Sequence, residues 1–213
     1  MLICCFFSVV LAIQSEGAAM KAIEKKLKRI VTRYVPYNFR SRIEASATGV
    51  RVIQPKDIKD EQIQWESVIT TELSSKKEPE YLQDGDLLIL SRGLKQQVFV
   101  YESDKSNQKT ICSNMYHHYR VSNAEVNPHY LAFVLSHHGR IKNQIEVGAK
   151  ASIGVKVYSR ETIEDLQIPI PSKKEQDTIV ALHDNIKQQQ QHYQELMDSN
   201  RAMLSSIASQ LTK

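Results

Sequence analysis

Asn127-Pro128-His129-Tyr130 is one residue removed from the Asn-Pro-Pro-Tyr signature with which amino-methyltransferases hold a flipped base. The second proline is missing, and no Gly-rich FxGxG cofactor loop occurs in the chain. A helix start accounts for the same residues, because Asn is a good N-cap and proline suits the first helical position. Two histidine pairs, His117-His118 and His137-His138, raise metal chemistry. Neighbouring side chains point to opposite faces of a strand and diverge by about 100° on a helix. No Cys or acidic cluster completes a ligand set at usable spacing, so no metal site is expected. Asp84-Gly85-Asp86 lacks the rest of a calcium loop and reads as a turn. GxSxG, Walker A and Cys/His nucleophile patterns are absent, so none of those catalytic classes is indicated and no cofactor is expected.

The charge balance points elsewhere. Net charge is +4, and it is segregated: between Lys21 and Arg42 eight Lys/Arg stand against one acid, Glu24, while residues 172–213 carry five basic and five acidic groups. A basic body on a neutral handle suits polyanion binding, although a solvated basic helix reads equally well from charge alone. A length of 213 residues fits one domain, or one domain plus an appendage, and 41% apolar with 24% charged residues excludes disorder. Cys4, Cys5 and Cys112 supply no disulfide framework, which favours a reducing, cytoplasmic setting.

The elements that must position these residues follow from pattern. Leu2–Ile13 is apolar apart from Ser8 and ends in Ser15-Glu16-Gly17-Ala18-Ala19. It is short for a membrane span and lacks a basic start. Residues 1–19 are therefore read as a hydrophobic extension, with translation starting at Met20, a cleaved leader and a retained extension all open. Met20, Ile23, Leu27, Ile30 and Val31 predict an amphipathic helix over about 20–33. Strand character marks Val50–Ile53, Leu87–Leu90, Gln97–Tyr101, Thr110–Ser113 and Tyr116–Val121, and Asn127-Pro128 opens a helix that runs to before Gly139. Gly148–Gly154 is a small-residue loop, Ser159 caps a short turn, and Leu166–Pro171 is extended. Residues 20–171 thus form a mixed α/β (α+β) domain.

Residues 172–213 contain neither Gly nor Pro and predict a helix roughly 60 Å long. Heptad position a holds Ile179, Ile186, Tyr193, Asn200 and Ile207; position d holds Leu182, Gln189, Leu196, Met203 and Gln210. This is a usable coiled-coil seam, and Asn200 is a polar intrusion of the kind that selects register. A small domain cannot cover such a helix along its whole length, so a second helix is expected over it.

Asp165-Leu166-Gln167-Ile168-Pro169-Ile170-Pro171, then Glu175-Gln176 and the heptad helix, resembles the conserved region of type I restriction–modification specificity subunits, where a target recognition domain ends in "IPLP…EQ" and passes into a spacer helix. Asp84–Gly93 looks like the family's "GDLLISRRG" strand, Asn127–Leu131 like its "peYL" helix start, and Gly148–Ile153 sits where the family has a Gly-rich loop. Family members usually hold two recognition domains and two spacer helices in one chain. This chain holds one of each and looks like a half-length form, acting as a homodimer, pairing with another half, or being a truncated remnant.

The resemblance implies a subunit that reads double-stranded DNA and docks methyltransferase and restriction subunits, which do the chemistry. Two copies joined through their helices would hold identical reading heads over a palindromic site, with the helix as ruler. Base reading needs forked donors and acceptors, and phosphate clamping needs basic groups. The residues expected to supply them are Tyr37, Arg40 and Arg42 (with Phe39), Gln54 and Lys56, then Arg92, Lys95, Gln96 and Gln97, and lastly Lys150, Ser152 and Lys156. The helix residues expected to meet a partner are Ile179, Leu182, Ile186, Tyr193, Leu196, Asn200, Met203 and Ile207. Two other classes stay open: a coiled-coil scaffold that reads no DNA, and an exported protein with a coiled-coil tail.

Overall fold

The structure is a computed structural model that describes residues 22–39, 41–74, 78–106, 108–152 and 154–211. The hydrophobic extension, its alternative start at Met20 and Arg40 lie outside the described residues.

The described residues form five small sheets and four α-helices. A four-stranded antiparallel sheet runs in the order β2 (Val31–Tyr34), β11 (Tyr116–Val121), β7 (Asp86–Leu90), β9 (Val98–Val100). Strand β7 is buried along its whole length because both faces are covered, which is why its sequence is a continuous apolar run. Leu87 and Ile89 face the larger core with Leu27, Ile30, Tyr119, Leu131 and Leu135. Leu88 and Leu90 face the second, with Ile53, Phe99, Cys112 and Tyr116. The large core is closed by α1 (Pro128–His137), α2 (Gly139–Gly148) and α3 (Arg160–Glu164). A three-stranded sheet, β10 (Thr110–Cys112), β3 (Val50–Ile53), β6 (Ile69–Thr71), has β10 and β3 parallel. Strand β1 (Ile23–Lys26) pairs with β14 (Gln167–Ile170), β4 (Ile58–Lys59) with β5 (Gln62–Ile63), and β12 (Lys150–Ser152) with β13 (Val155–Val157), which also pairs with β8 (Arg92–Gly93).

The expected helix over 20–33 does not form. Its described residues make β1, a 3-10 turn at Leu27–Arg29 and β2. Leu27 and Ile30 are fully buried, so the apolar spacing is met by a single tight turn between two strands. The free edges of β14 and β11 supply partners that a helix would forgo, and tertiary pairing overrides local propensity. The segment's charge is partly neutralised within the body: Lys26 and Lys28 both reach Asp165, at 3.0 and 2.8 Å, and Arg140 pairs with Glu24.

Two further readings change. Gly148–Gly154 is largely the β12–β13 hairpin rather than a loop, and Gly139 begins a second helix instead of only ending the first. Elsewhere the pattern holds. Asn127 caps α1, accepting from the His129 N–H at 2.9 Å, and Ser159 Oγ accepts from the Thr162 N–H at 3.1 Å. The long helix is α4 (Lys173–Leu211), 39 residues and about 58 Å. Among the described residues no helix is long and apolar enough to cross a membrane.

Candidate nucleic-acid interface and partner helix

Strand β7 starts with a buried carboxylate. Asp86 Oδ2 accepts from the Gln83 N–H at 2.9 Å and from Arg120 Nη2 at 2.8 Å, and lies 2.8 Å from His118 Nε2; Oδ1 accepts from Arg120 Nε at 2.6 Å. Burial pushes this carboxyl up, but the bonds from Arg120, His118 and Gln83 outweigh it and hold it below the ordinary range. The Arg120 guanidinium lies over the Tyr34 ring at 4.4 Å, so β2, β11 and β7 are stitched through one ionic cluster. His117, on the opposite face, lies 2.9 Å from the Tyr158 carbonyl through Nε2. The His117-His118 pair is therefore structural. Asp84 accepts from the Ser103 N–H at 2.6 Å in a turn built on Gly85, whose φ of +88° a side chain would resist. Burial drives the Cys112 thiol up to about 12, which removes it as a nucleophile.

Most of the polar residues expected on DNA fall into three places, with Arg42, Gln54 and Lys56 outside them. Across the β8–β13–β12 sheet, Arg92, Val157 and Lys150 stand opposite one another and share a face. Both Arg92 and Lys150 are exposed. Lys156 lies on the next rung and is tied to Glu146 of α2. Ser152 belongs to the same hairpin.

Lys95, Gln96, Gln97 and Lys156 line one crevice together with Lys142. Gln96 Nε2 and Gln97 Oε1 are buried there without a partner among the described residues. Leu94 projects from the same loop, 76% exposed.

Tyr37 packs edge-on against Phe39 at 4.8 Å and bridges Ser113. It lines a hollow with Arg33 and Asn38, and that hollow shares Val35, Pro36 and Asn38 with a second one lined by Arg92, Asn114 and Arg160. Tyr37 and Arg92, far apart in sequence, thus border one surface. Arg33, Asn38, Asn114 and Arg160 join them there, and no local signal in the sequence marks those four. Arg42 is exposed and is not among the residues that line the crevice of Lys95. Gln54 and Lys56 sit at a 3-10 turn: the Gln54 N–H donates to Asp57 Oδ2 at 2.9 Å, and Lys56 Nζ donates to Asp57 Oδ1 and the Ser67 carbonyl at 2.8 and 3.0 Å.

The joint to the long helix is built from the motif itself. Ser172 and Glu175 form a capping box: Glu175 Oε2 accepts from the Ser172 N–H at 2.9 Å, and Ser172 Oγ faces the Glu175 N–H at 3.4 Å. Gln176 is fully buried; its Nε2 donates to the carbonyls of Glu125 and Pro171 at 2.9 and 3.0 Å. Asn127 Nδ2 donates to Asp177 Oδ1 at 2.8 Å, so that amide serves the α1–α4 joint.

Ile179 and Val180 then pack against the large core, and Leu182 is half-buried, so the first seam residues serve the body. From Ile186 onward the seam is uncovered: Tyr193 is 66%, Leu196 58% and Met203 61% exposed, with Ile207 and Asn200 also in the open. The distal half of the helix does not fold back on the body. Met197 and Leu204, next to the d residues, are exposed as well and widen the stripe. The sequence carried that signal, but a strict a/d reading passes over it.

The family model of the type I restriction modification DNA specificity domain matches residues 32–196. No curated protein matches the chain significantly. Among solved structures, the HsdS subunit from Thermoanaerobacter tengcongensis is similar at 19% identity and a TM-score of 0.56, over 82% of this chain and 40% of that one. A structure described as underlying complex assembly and conformational transition of the type I R-M system is similar at 18% identity and a TM-score of 0.61, over 90% and 45%. The type I S subunit from M. genitalium is similar at 10% identity and a TM-score of 0.54, over 87% and 44%. At these identities the likeness is one of fold, and the chain matches less than half the length of each.

Proposed function

The chain belongs to the type I restriction modification DNA specificity family, with one mixed α/β recognition domain and one long helix, and on that premise we propose that it is the DNA-reading subunit of such a system. In this reading the chain binds duplex DNA, performs no catalysis itself, and docks methyltransferase and restriction subunits in the cytoplasm.

The observation that carries the reading is the joint at Ser172, Glu175 and Gln176. It fixes a helix of about 58 Å rigidly to the recognition domain while leaving the stripe from Ile186 to Ile207 uncovered. A rod held this way can set the distance between two heads, and an apolar stripe in water calls for a second helix. The partner is a second copy of this chain or the long helix of another specificity subunit, bound through Ile186, Tyr193, Leu196, Met203 and Ile207, with Asn200 selecting register. On the head, Arg92 and Lys150 on their shared rung, the Lys95–Gln97 loop and the surface bordered by Tyr37 supply the phosphate and base contacts.

Binding of the purified full chain to mixed-sequence duplex DNA over a range of salt tests this. A log–log slope of several units is expected, since each phosphate contact adds about 0.9. A flat salt dependence with intact helix-mediated association would leave a scaffold that reads no DNA.

A further inference from the structure

His137 has a second neighbour that the sequence hides. The α1 C-terminus brings His137 beside His183 from the third turn of α4, and the β4–β5 turn adds Glu61. One ligand atom from each of the three lies within 4.8 Å of the others. Asp60 and Glu61 have φ of 50° and 61°, so both loop residues of this tight hairpin are left-handed, without a glycine to ease it. That backbone costs on the order of 1 kcal/mol or more per residue. It sets Glu61 Oε2 3.8 Å from His183 Nε2 and 3.4 Å from Lys187 Nζ.

Phe133 backs both imidazoles, stacked on His137 at 5.1 Å and edge-on to His183 at 5.2 Å, and the two rings are 5.0 Å apart. His137 Nδ1 is 3.3 Å from the Phe133 carbonyl, a contact that as a donor fixes the tautomer and leaves the Nε2 lone pair free. Burial holds the His183 imidazole below its ordinary range, with Glu61 opposing and His137 and Lys187 adding to the shift. Neutral imidazole is the form that ligates metal.

We propose that Glu61, His137 and His183 form a binding site for a divalent transition metal of the Zn²⁺ class, clamping the recognition domain to the long helix. Two imidazoles and one carboxylate are a donor set suited to zinc, with a water completing the tetrahedron. Bonds of about 2.1 Å bring tetrahedral ligand atoms to about 3.4 Å from one another. The present spacing therefore closes by roughly 1 Å when the metal enters, through side-chain rotation. Lys187 is the built-in competitor: its ammonium pairs with Glu61 and must swing away from it. Glu61 and His137 also border the crevice that holds Lys95, Gln96 and Gln97, but metal binding is read without DNA, so its failure leaves the DNA-reading assignment untouched.

The test uses the full chain with Cys4→Ser and Cys5→Ser, so that terminal thiols do not compete, freed of metal by a chelator and titrated with Zn²⁺ and Co²⁺. One equivalent is expected to bind, with the intense visible absorption of tetrahedral cobalt and a raised Tm. His137→Ala, His183→Ala and Glu61→Gln should each weaken binding at least tenfold, and Lys187→Gln should strengthen it several-fold. His192→Ala, an exposed histidine further along the same helix, should change nothing. Absence of saturable binding, or binding indifferent to His137→Ala and His183→Ala, overturns the proposal.

Discussion

Gln176 and Asn127 are joined across 49 residues of sequence: the Asn127 backbone N–H donates to Gln176 Oε1 at 2.9 Å, just where α1 begins. The same glutamine holds the carbonyls of Glu125 and Pro171, so one side chain ties the start of α1 to the start of α4. The direction of the long helix relative to the body is set at this point.

Gln176→Ala should therefore do more than remove a polar group. It leaves a part-buried N–H, a part-buried carbonyl and the buried Pro171 carbonyl without these partners, and an orphaned buried group costs about 1 kcal/mol or more. A loss of about 2–4 kcal/mol is expected in urea denaturation. A surface substitution on the same helix, Lys174→Ala, should stay within about 0.5 kcal/mol.

Asp86 should govern part of the acid behaviour. Its carboxyl is held below the ordinary range when folded, so its contribution is complete above the unfolded carboxylate value. That contribution is lost as pH falls through the lowered folded value. Asp86→Asn should cost about 3–5 kcal/mol near neutrality, because Arg120 loses its counter-charge and His118 loses the carboxylate it contacts. The variant's stability should fall less steeply than the parent's below about pH 4, as measured by denaturant midpoints across pH.

The distal stripe predicts association behaviour separable from folding. Leu196→Asp with Met203→Asp should abolish self-association in sedimentation without lowering the Tm of the body, since both side chains are exposed in the isolated chain. Asn200→Leu should strengthen association and loosen its register. A chain that stays monomeric at high concentration, with and without Asn200→Leu, would end the dimer reading and leave docking to a methyltransferase intact.

Arg92→Ala with Lys150→Ala should weaken duplex DNA binding and reduce the salt slope by about 1–2. Arg201→Ala, on the exposed distal half of the helix, should leave both unchanged.

Much of the fold was legible because it rests on local chemistry. Asn127-Pro128 states a helix start in two residues, the absence of Gly and Pro over 172–213 states a long helix, and the apolar run Leu87–Leu90 states a strand. The amphipathic spacing over 20–33 misled because two strands and a tight turn bury the same residues as a helix would, and only the edges of β14 and β11 decide between them. The interface was legible only as a list of plausible side chains. Periodicity cannot say that Arg92 and Lys150 share a rung, that Lys156 is occupied by Glu146, or that Arg33 and Arg160 border the surface near Tyr37.

By itself the sequence determined the long helix and its seam, since each depends on residues a few positions apart, and it carried the joining motif as a resemblance. The tertiary structure alone decided that Gln176 is the hinge pin, that Ile179 belongs to the body while Tyr193 and Leu196 face water, and that His137 meets His183 and Glu61 rather than its neighbour His138. The physical reason is distance along the chain. Burial and ligand geometry depend on which elements pack together, and no local pattern encodes the partner of a side chain fifty or a hundred residues away.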